Sequence, residues 1–590
     1  MRFTLRLAFA IGTALAVPAL AAPVQARSSA EYYNARLGQS EIPALLSREE
    51  REYYRDFFAA IERDDWARVN ALLSARPDGP LHKVAIAEFY LDGQSPRVEL
   101  DQITAWLASG RMLPQAEQLA NLGLRRGLER MPDLPRQQTF YSQGYAPKRV
   151  RPSTISDGTM PEDIRRRILE HISADDPDGA RLLLDGIDAV LSREARAEWR
   201  QRVAWSYYIE NRDAAALAMA RTVGQDGAGP WVAEGDWVAG LASWRLDDPT
   251  EAMAHFQRAA AGSRNAELTT AAYYWASRSA IRARYPEQSA QFLRAAASQD
   301  ETLYGMLAAE QLGRSLPNPY AGADFTAEDW RRVGQSENVR IAVGLAEVGQ
   351  DVLSSEVLLH EAKIGDPGNY AALSRLARDL GLPATQLYMA HNAPSGGKPD
   401  PAARYPAPRW SPVDGWKVDP ALAYAHALQE SNFQTTVVSP AGAKGLMQIM
   451  PIAAREHAGS LNMNASYADL GDPRVNLAFG QRNLESLRDS RATEGKLPKI
   501  MAAYNAGLTP VTRWNGEIRD QGDPLLYMES IPYWETRGYV AIVTRNYWMY
   551  ERQAAAASPS RHALAEGKWP MFPGEGRSGR TYLSAQSGGN

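Results

Sequence analysis

The chain has 590 residues, of which 45% are hydrophobic and 23% charged, and its formal net charge is −4 at pH 7. That length asks for three or four domains rather than one core; 15 Trp and 26 Tyr exclude a disordered or collagen-like chain; and the charge supplies no field to gather nucleic acid. Cysteine is absent, which excludes disulfides, a cysteine nucleophile and cysteine-bearing zinc sites, so packing must hold the fold.

The first element is a basic start (Arg2, Arg6), an apolar run from Leu5 to Leu20, and Ala19-Leu20-Ala21. This is the pattern of a secretory signal peptide over residues 1–21, with a second possible cut after Val24-Gln25-Ala26. The apolar run is short for a membrane span, which takes about 20 residues, and no later stretch reads as one. An exported protein without a membrane anchor, in a Gram-negative periplasm, is the expectation.

Residues 44–320 repeat one design, a short acidic turn followed by an apolar stripe at helical spacing. Asp64-Asp65-Trp66, Asp175-Asp176-Pro177, Asn211-Arg212-Asp213, Asp247-Asp248-Pro249 and Tyr285-Pro286-Glu287 are the turns. Asp-Asp-Pro reads as an N-cap followed by proline in the first helical turn. Ala180, Leu183, Leu184 and Ala252, Phe256, Ala259 follow at i, i+3, i+4 and i+7 steps. Asp176, Asp213, Asp248 and Pro286 recur every 35 to 38 residues, room for two helices and two turns. The spacing predicts an α-superhelix of helix pairs. The aromatic clusters Trp205-Tyr207-Tyr208, Trp231-Trp237-Trp244 and Tyr273-Tyr274-Trp275 are expected to fill seams between pairs rather than to stack sugars. A hinge at 314–325 leads to a small helical linker domain over 326–400, which closes on the Pro/Gly-rich segment Ala393 to Pro399.

Residues 407–574 carry the chemistry, ahead of a Gly/Ser-rich tail at 575–590 that is expected to be flexible. Asp419-Pro420 starts a helix, and Glu430 ends it after an apolar segment whose one other group titrating near neutral pH is His426. Burial and a helix C-terminus both disfavour a carboxylate's charge, as a general acid near neutral pH requires. A surface glutamate ending a helix fits this segment equally well. Ser439 to Pro451 then places Gly442 and Gly445 where backbone can approach a ligand, with Gln448 the one amide in an apolar run. The eight histidines are scattered and form no His-Glu-x-x-His run, so no metal is expected, and no phosphate loop is present.

Four blocks in order, Glu430-Ser431, Gly445-Leu446-Met447-Gln448, Ala503-Tyr504-Asn505 and Glu529 through Tyr539, make the chain resemble the soluble lytic transglycosylases. The resemblance implies an all-α fold: a superhelix, a helical linker domain, and a goose-lysozyme-like, mainly α catalytic domain. It implies cleavage of the MurNAc–GlcNAc β-1,4 bond of peptidoglycan, exo-acting, with formation of a 1,6-anhydroMurNAc end. Glu430 matches the family's single catalytic acid/base. Ser431 matches a serine that orients substrate and glutamate, Met447 and Gln448 match pocket residues, Tyr504 and Asn505 line the cleft, and Glu529 matches a cleft carboxylate near the acid. Leu428, Ala453 and Asn483 depart from the family's usual arginine, threonine and tyrosine and bear on subsite preference. No cofactor is implied. Glycan strands are the expected partner of a monomer, with cell-wall synthesis or recycling proteins as further partners. One carboxylate suffices when the substrate's own C6 hydroxyl attacks C1, whereas ordinary glycosidases use two. Glu529 and Glu535 keep a water-using muramidase open, and the bare array keeps a non-catalytic envelope scaffold open.

Overall fold

The computed structural model describes residues 28–37, 41–321 and 324–574; the signal-peptide segment and the 575–590 tail lie outside them. The fold is all-α. Among the described residues the sheet structure is one ribbon, Phe140–Ser142 antiparallel to Asn392–Pro394, with isolated bridges elsewhere. No described helix is long and apolar enough to cross a membrane.

The acidic turns work as their chemistry dictates, with one addition. Asp176 and Asp248 cap their helices, accepting from the amides of Gly179 and Glu251 at 2.9 Å each, with proline in the first turn. The residue before each start, Asp64, Asp175, Asn211, Asp247 or Arg284, sits at φ near +60°. The following amide then reaches back five residues, as Asp176 N–H does to the His171 carbonyl (2.9 Å) and Asp248 N–H to that of Ser243 (3.0 Å). Such a left-handed residue closes one helix and satisfies its last carbonyls while the next begins. Asp and Asn tolerate that conformation better than most residues, which explains why the turns are acidic.

Between these turns, helices from Glu162–Ser173 to Leu303–Gln311 stack in pairs. Trp231–Arg245 is central and buried on nearly every side. Its Gly240 lets Phe256 of Pro249–Gly262 lie against the backbone, where a Cβ would come within 2.6 Å of the ring.

The cores do not part at the expected hinge. Helices between Arg48 and Arg126 share a core with residues 325–393, tied by Lys83 to Glu337 (2.5 Å) and by the Leu45 and Leu46 amides to the Glu347 carboxylate (2.6 and 3.1 Å). Helices from 162 to 311 instead share theirs with residues 418–572. The expected 44–320 unit is thus split, and the 326–400 segment is the other half of the first helices' core. The two stacks are linked by residues 127–161, where Pro132, Pro135, Pro147, Pro152 and Pro161 preclude a continuous helix. The chain leaves its first helices, builds the second stack, and returns through 327–391 to cover them. Near its start, Ser29 Oγ donates to Asp419 (2.5 Å) and Tyr33 OH to the Tyr550 carbonyl (2.9 Å), pinning this segment beside the helix that carries Glu430.

Candidate active site

Pro420–Ser431 is capped by Asp419, which accepts from the Ala421 amide (3.0 Å). Ala421, Ala423, Ala425 and Ala427 are fully buried, so small side chains draw neighbouring helices close. The helix stops at Asn432 (φ 50°) and Phe433 (φ 63°). An aromatic residue in the left-handed region is strained, and Phe433 is held there by burial. This stop leaves the half-buried Glu430 one residue from the helix end. Its Oε1 accepts from Tyr539 OH at 2.6 Å. Burial pushes the Glu430 carboxyl up to about 7; the Tyr539 hydrogen bond opposes this and the nearby Glu535 charge adds to it. Tyr539 in turn lies 2.8 Å from Nδ1 of the fully buried His426, whose pKa burial lowers to about 3.

The loop from Ser439 to Pro451 is built against this helix end. Ser431 Oγ is 2.7 Å from the Leu446 carbonyl and 3.2 Å from that of Ala427. Gly445, at φ 69°, has no room for a Cβ against the Leu470 carbonyl and the Asn476 amide. Asn476 ties the loop with three bonds: it accepts from the Met447 amide (2.8 Å) and donates to the Lys444 (3.0 Å) and Leu470 (2.8 Å) carbonyls. Met447 is fully buried, and its carbonyl accepts from Tyr504 OH (2.7 Å). Gln448 donates to the Gly445 carbonyl (2.8 Å), which leaves its side-chain oxygen free. Asn505 accepts from Thr536 (2.6 Å) and so keeps its NH2. The Tyr504 and Tyr539 rings lie parallel, 6.4 Å between centroids. The result is one half-buried acid on a rigid floor, with amide groups beside it.

Against that geometry, residues 412–526 match the family model of the transglycosylase SLT domain. The soluble lytic murein transglycosylase of Escherichia coli K12 is 35% identical over 157 residues, 26% of this chain and 24% of that protein. The Salmonella typhimurium protein of the same name is 36% identical over 129 residues, 21% of this chain and 20% of its own. Over this stretch the chain is similar to the soluble lytic transglycosylases. The matched stretch spans about a quarter or less of these curated relatives. The fold is shared more widely. The crystal structure of the 70 kDa soluble lytic transglycosylase from E. coli superposes with a TM-score of 0.53 at 16% identity, covering 89% of this chain and 99% of that one. An inactive mutant of the lytic transglycosylase Slt from Pseudomonas aeruginosa gives 0.50 at 20% identity, covering 90% and 78%.

The structure gathers Glu430, Ser431, Met447, Gln448 and Tyr504, and places Asn505 beside them on Thr536. It places three of the expected residues differently. Ser431 spends its hydroxyl proton on backbone carbonyls, so it fixes the loop instead of presenting a donor to substrate. Met447 is core, and contributes its carbonyl. Glu529 is placed elsewhere: it accepts from Tyr304 of the second stack (2.7 Å) and lines a small cavity with Arg149, Glu267 and Arg537. Tyr304 of the stack and Arg149 of the linking segment draw that carboxylate into the interface, and the acid that acts on Glu430 is Glu535. Beyond it, a groove of about 420 Å³ runs between stack and catalytic region, lined by Trp205, Trp231, Trp237, Trp534, Arg151 and Arg537 among others. Tyr207, Tyr208, Trp244, Tyr274 and Trp275 are buried in the seams. Tyr539, Asn476 and His426 had no assigned role in the sequence. The signal for His426 was its i, i+4 spacing from Glu430, which puts both on one helix face.

Proposed function

We propose that the protein is a murein lytic transglycosylase in which Glu430 is the single acid/base. The carrying observation is a half-buried glutamate, its carboxyl raised to about 7, with a tyrosine hydroxyl as its one hydrogen-bond partner among the described residues. Such a group is protonated at the start of the reaction and can act as an anion later. Glu430 gives its proton to the glycosidic oxygen between MurNAc C1 and GlcNAc. The N-acetyl carbonyl of the same MurNAc stabilises the cationic C1. The Glu430 carboxylate then takes the proton from the C6 hydroxyl as that oxygen bonds to C1, which closes the 1,6-anhydro ring and consumes no water. Gln448 and Asn505 supply a free amide oxygen and amide donors for hydroxyl and acetamido groups.

In this reading the protein is exported and works in the periplasm as a monomer on glycan strand ends, alongside cell-wall synthesis or recycling proteins. The helical circuit beside the catalytic region and the signal-peptide pattern support it. The presence of Glu535 near Glu430 favours one rival, a muramidase that activates water with a second carboxylate. Mass spectrometry of sugars released from purified murein separates the two: anhydro ends are expected, and reducing ends would establish the hydrolase. With Glu430→Gln, turnover should fall about a hundredfold or more, with glycan binding kept.

A further inference from the structure

We infer that His426 is a positioning residue: through Tyr539 it fixes which oxygen of Glu430 carries the exchangeable proton. The inference rests on Glu430 being the acid/base. Tyr539 OH stands 2.6 Å from Glu430 Oε1 and 2.8 Å from His426 Nδ1. The hydroxyl has one proton, so only one of these contacts can be its donation.

The burial of His426 decides which. The imidazole is fully buried, beneath Tyr504 at 4.5 Å and beside Tyr539 at 5.9 Å between centroids, and its Nε2 has no hydrogen-bond partner among the described residues. Burial keeps the ring neutral, with one N–H. On Nε2 that N–H would be an orphaned buried donor, the costlier kind of unmet polar group. On Nδ1 it meets the tyrosine oxygen. His426 therefore donates to Tyr539, and the Tyr539 proton points at Oε1 whether Glu430 is ionised or not. A proton arriving on Glu430 cannot sit on Oε1 without facing that donor. It sits on Oε2, which has no hydrogen-bond partner among the described residues and is the atom left to exchange it with substrate.

Titratable groups facing Glu430 are Tyr539 and Glu535 from the helix Trp534–Gln553, Tyr504 from Leu497–Ala506, and His426 from its own helix. Of these, the His426–Tyr539 donation favours the ionised form and Glu535 opposes it. Without His426, Tyr539 is free to turn and accept from the protonated acid. The pKa of Glu430 then rises, and the basic limb of turnover moves up.

The experiment is a turnover–pH profile on murein, scored by anhydro products, for the parent, His426→Leu, His426→Asn and Tyr539→Phe, with thermal melts as a folding check. Asparagine places an amide N–H close to where Nδ1 stood. Expected are an upward shift of the basic limb by about 0.5–1 pH unit for Leu and Phe, and the parent limb for Asn. A histidine that only fills space predicts the reverse ranking, since leucine suits an apolar pocket and a buried amide does not. An unshifted limb in His426→Leu, or equal shifts in Leu and Asn, overturns the inference. Should the Leu variant not fold, Tyr539→Phe against His426→Asn decides in the same way. Glu430→Gln in the same assay tells the failures apart. Normal anhydro product from it sinks the acid/base reading, whereas an inactive Glu430→Gln beside an unshifted His426→Leu sinks only the role of His426.

Discussion

Glu430 and Glu529 each close a helix of the catalytic region, and each accepts from one tyrosine hydroxyl, at 2.6 and 2.7 Å. Their surroundings differ in sign. Around Glu529 stand the Arg149 and Arg537 guanidiniums, both of which feel its charge. Around Glu430 stand a neutral imidazole and a second carboxylate. One carboxylate is thereby tied into the interface, and the other is the one held protonated toward neutral pH. Hydrogen-bond count does not separate them; the charge of the next neighbour does.

The largest effect that would break this contrast is on turnover. Glu430→Gln should remove about a hundredfold or more, and Glu529→Gln much less, measured as anhydro product per enzyme. Equal, complete losses would return the two residues to one role. The pH dependence follows from the sign: an acid raised to about 7 is protonated below that value, so turnover should fall as pH climbs through it. Stability should split the pair next. A carboxyl raised from 4.5 to about 7 on folding costs the folded state nothing below 4.5 and progressively more between those values. Glu430→Gln should therefore raise stability at pH 8 by up to about 3 kcal/mol and leave it nearly unchanged at pH 4. Glu529→Gln should lower stability by about 1–3 kcal/mol by leaving arginines short of a partner. Chemical denaturation at both pH values checks the opposite signs. Gly445→Ala meets the Leu470 carbonyl and the Asn476 side-chain amide at a positive φ, so a loss of about 1–3 kcal/mol is expected, together with activity as the loop on Ser431 shifts. The smallest effect lies farthest from either carboxylate: Asp248→Ala removes one cap and should cost about 1 kcal/mol, with an unchanged pH profile.

The helix pairs were readable in the sequence because caps, prolines and apolar stripes are local signals, and Asp176 and Asp248 perform there as their residue type dictates. The Glu430 helix was readable for the same reason, but its local pattern suits a surface glutamate equally well, and it is the fold that raises the acid. The partition of the cores was not, since covering of the first helices by residues 325–393 depends on contacts between segments far apart in the chain, and no local pattern encodes them. Glu529 was misplaced for a related cause: its partner Tyr304 lies in another stack, 225 residues away. Ser431 was expected to orient substrate on the family resemblance, whereas only the folded loop shows Leu446 already beside it.

The two-part core has a consequence for the order in which the molecule can assemble. Helices from Arg48 to Arg126 are made first, yet the surface that covers them is spread over residues 325–393. At about 5–20 residues per second of synthesis, their apolar faces wait tens of seconds for a cover. The second stack waits likewise for the Glu430 helix and its neighbours. A nascent chain of 300 residues thus holds two half-cores and no finished one, a state in which it remains pliable and exposed to aggregation until its last third arrives. The segment that carries Glu430 also supplies part of the second stack's core, so products truncated before it should be less stable.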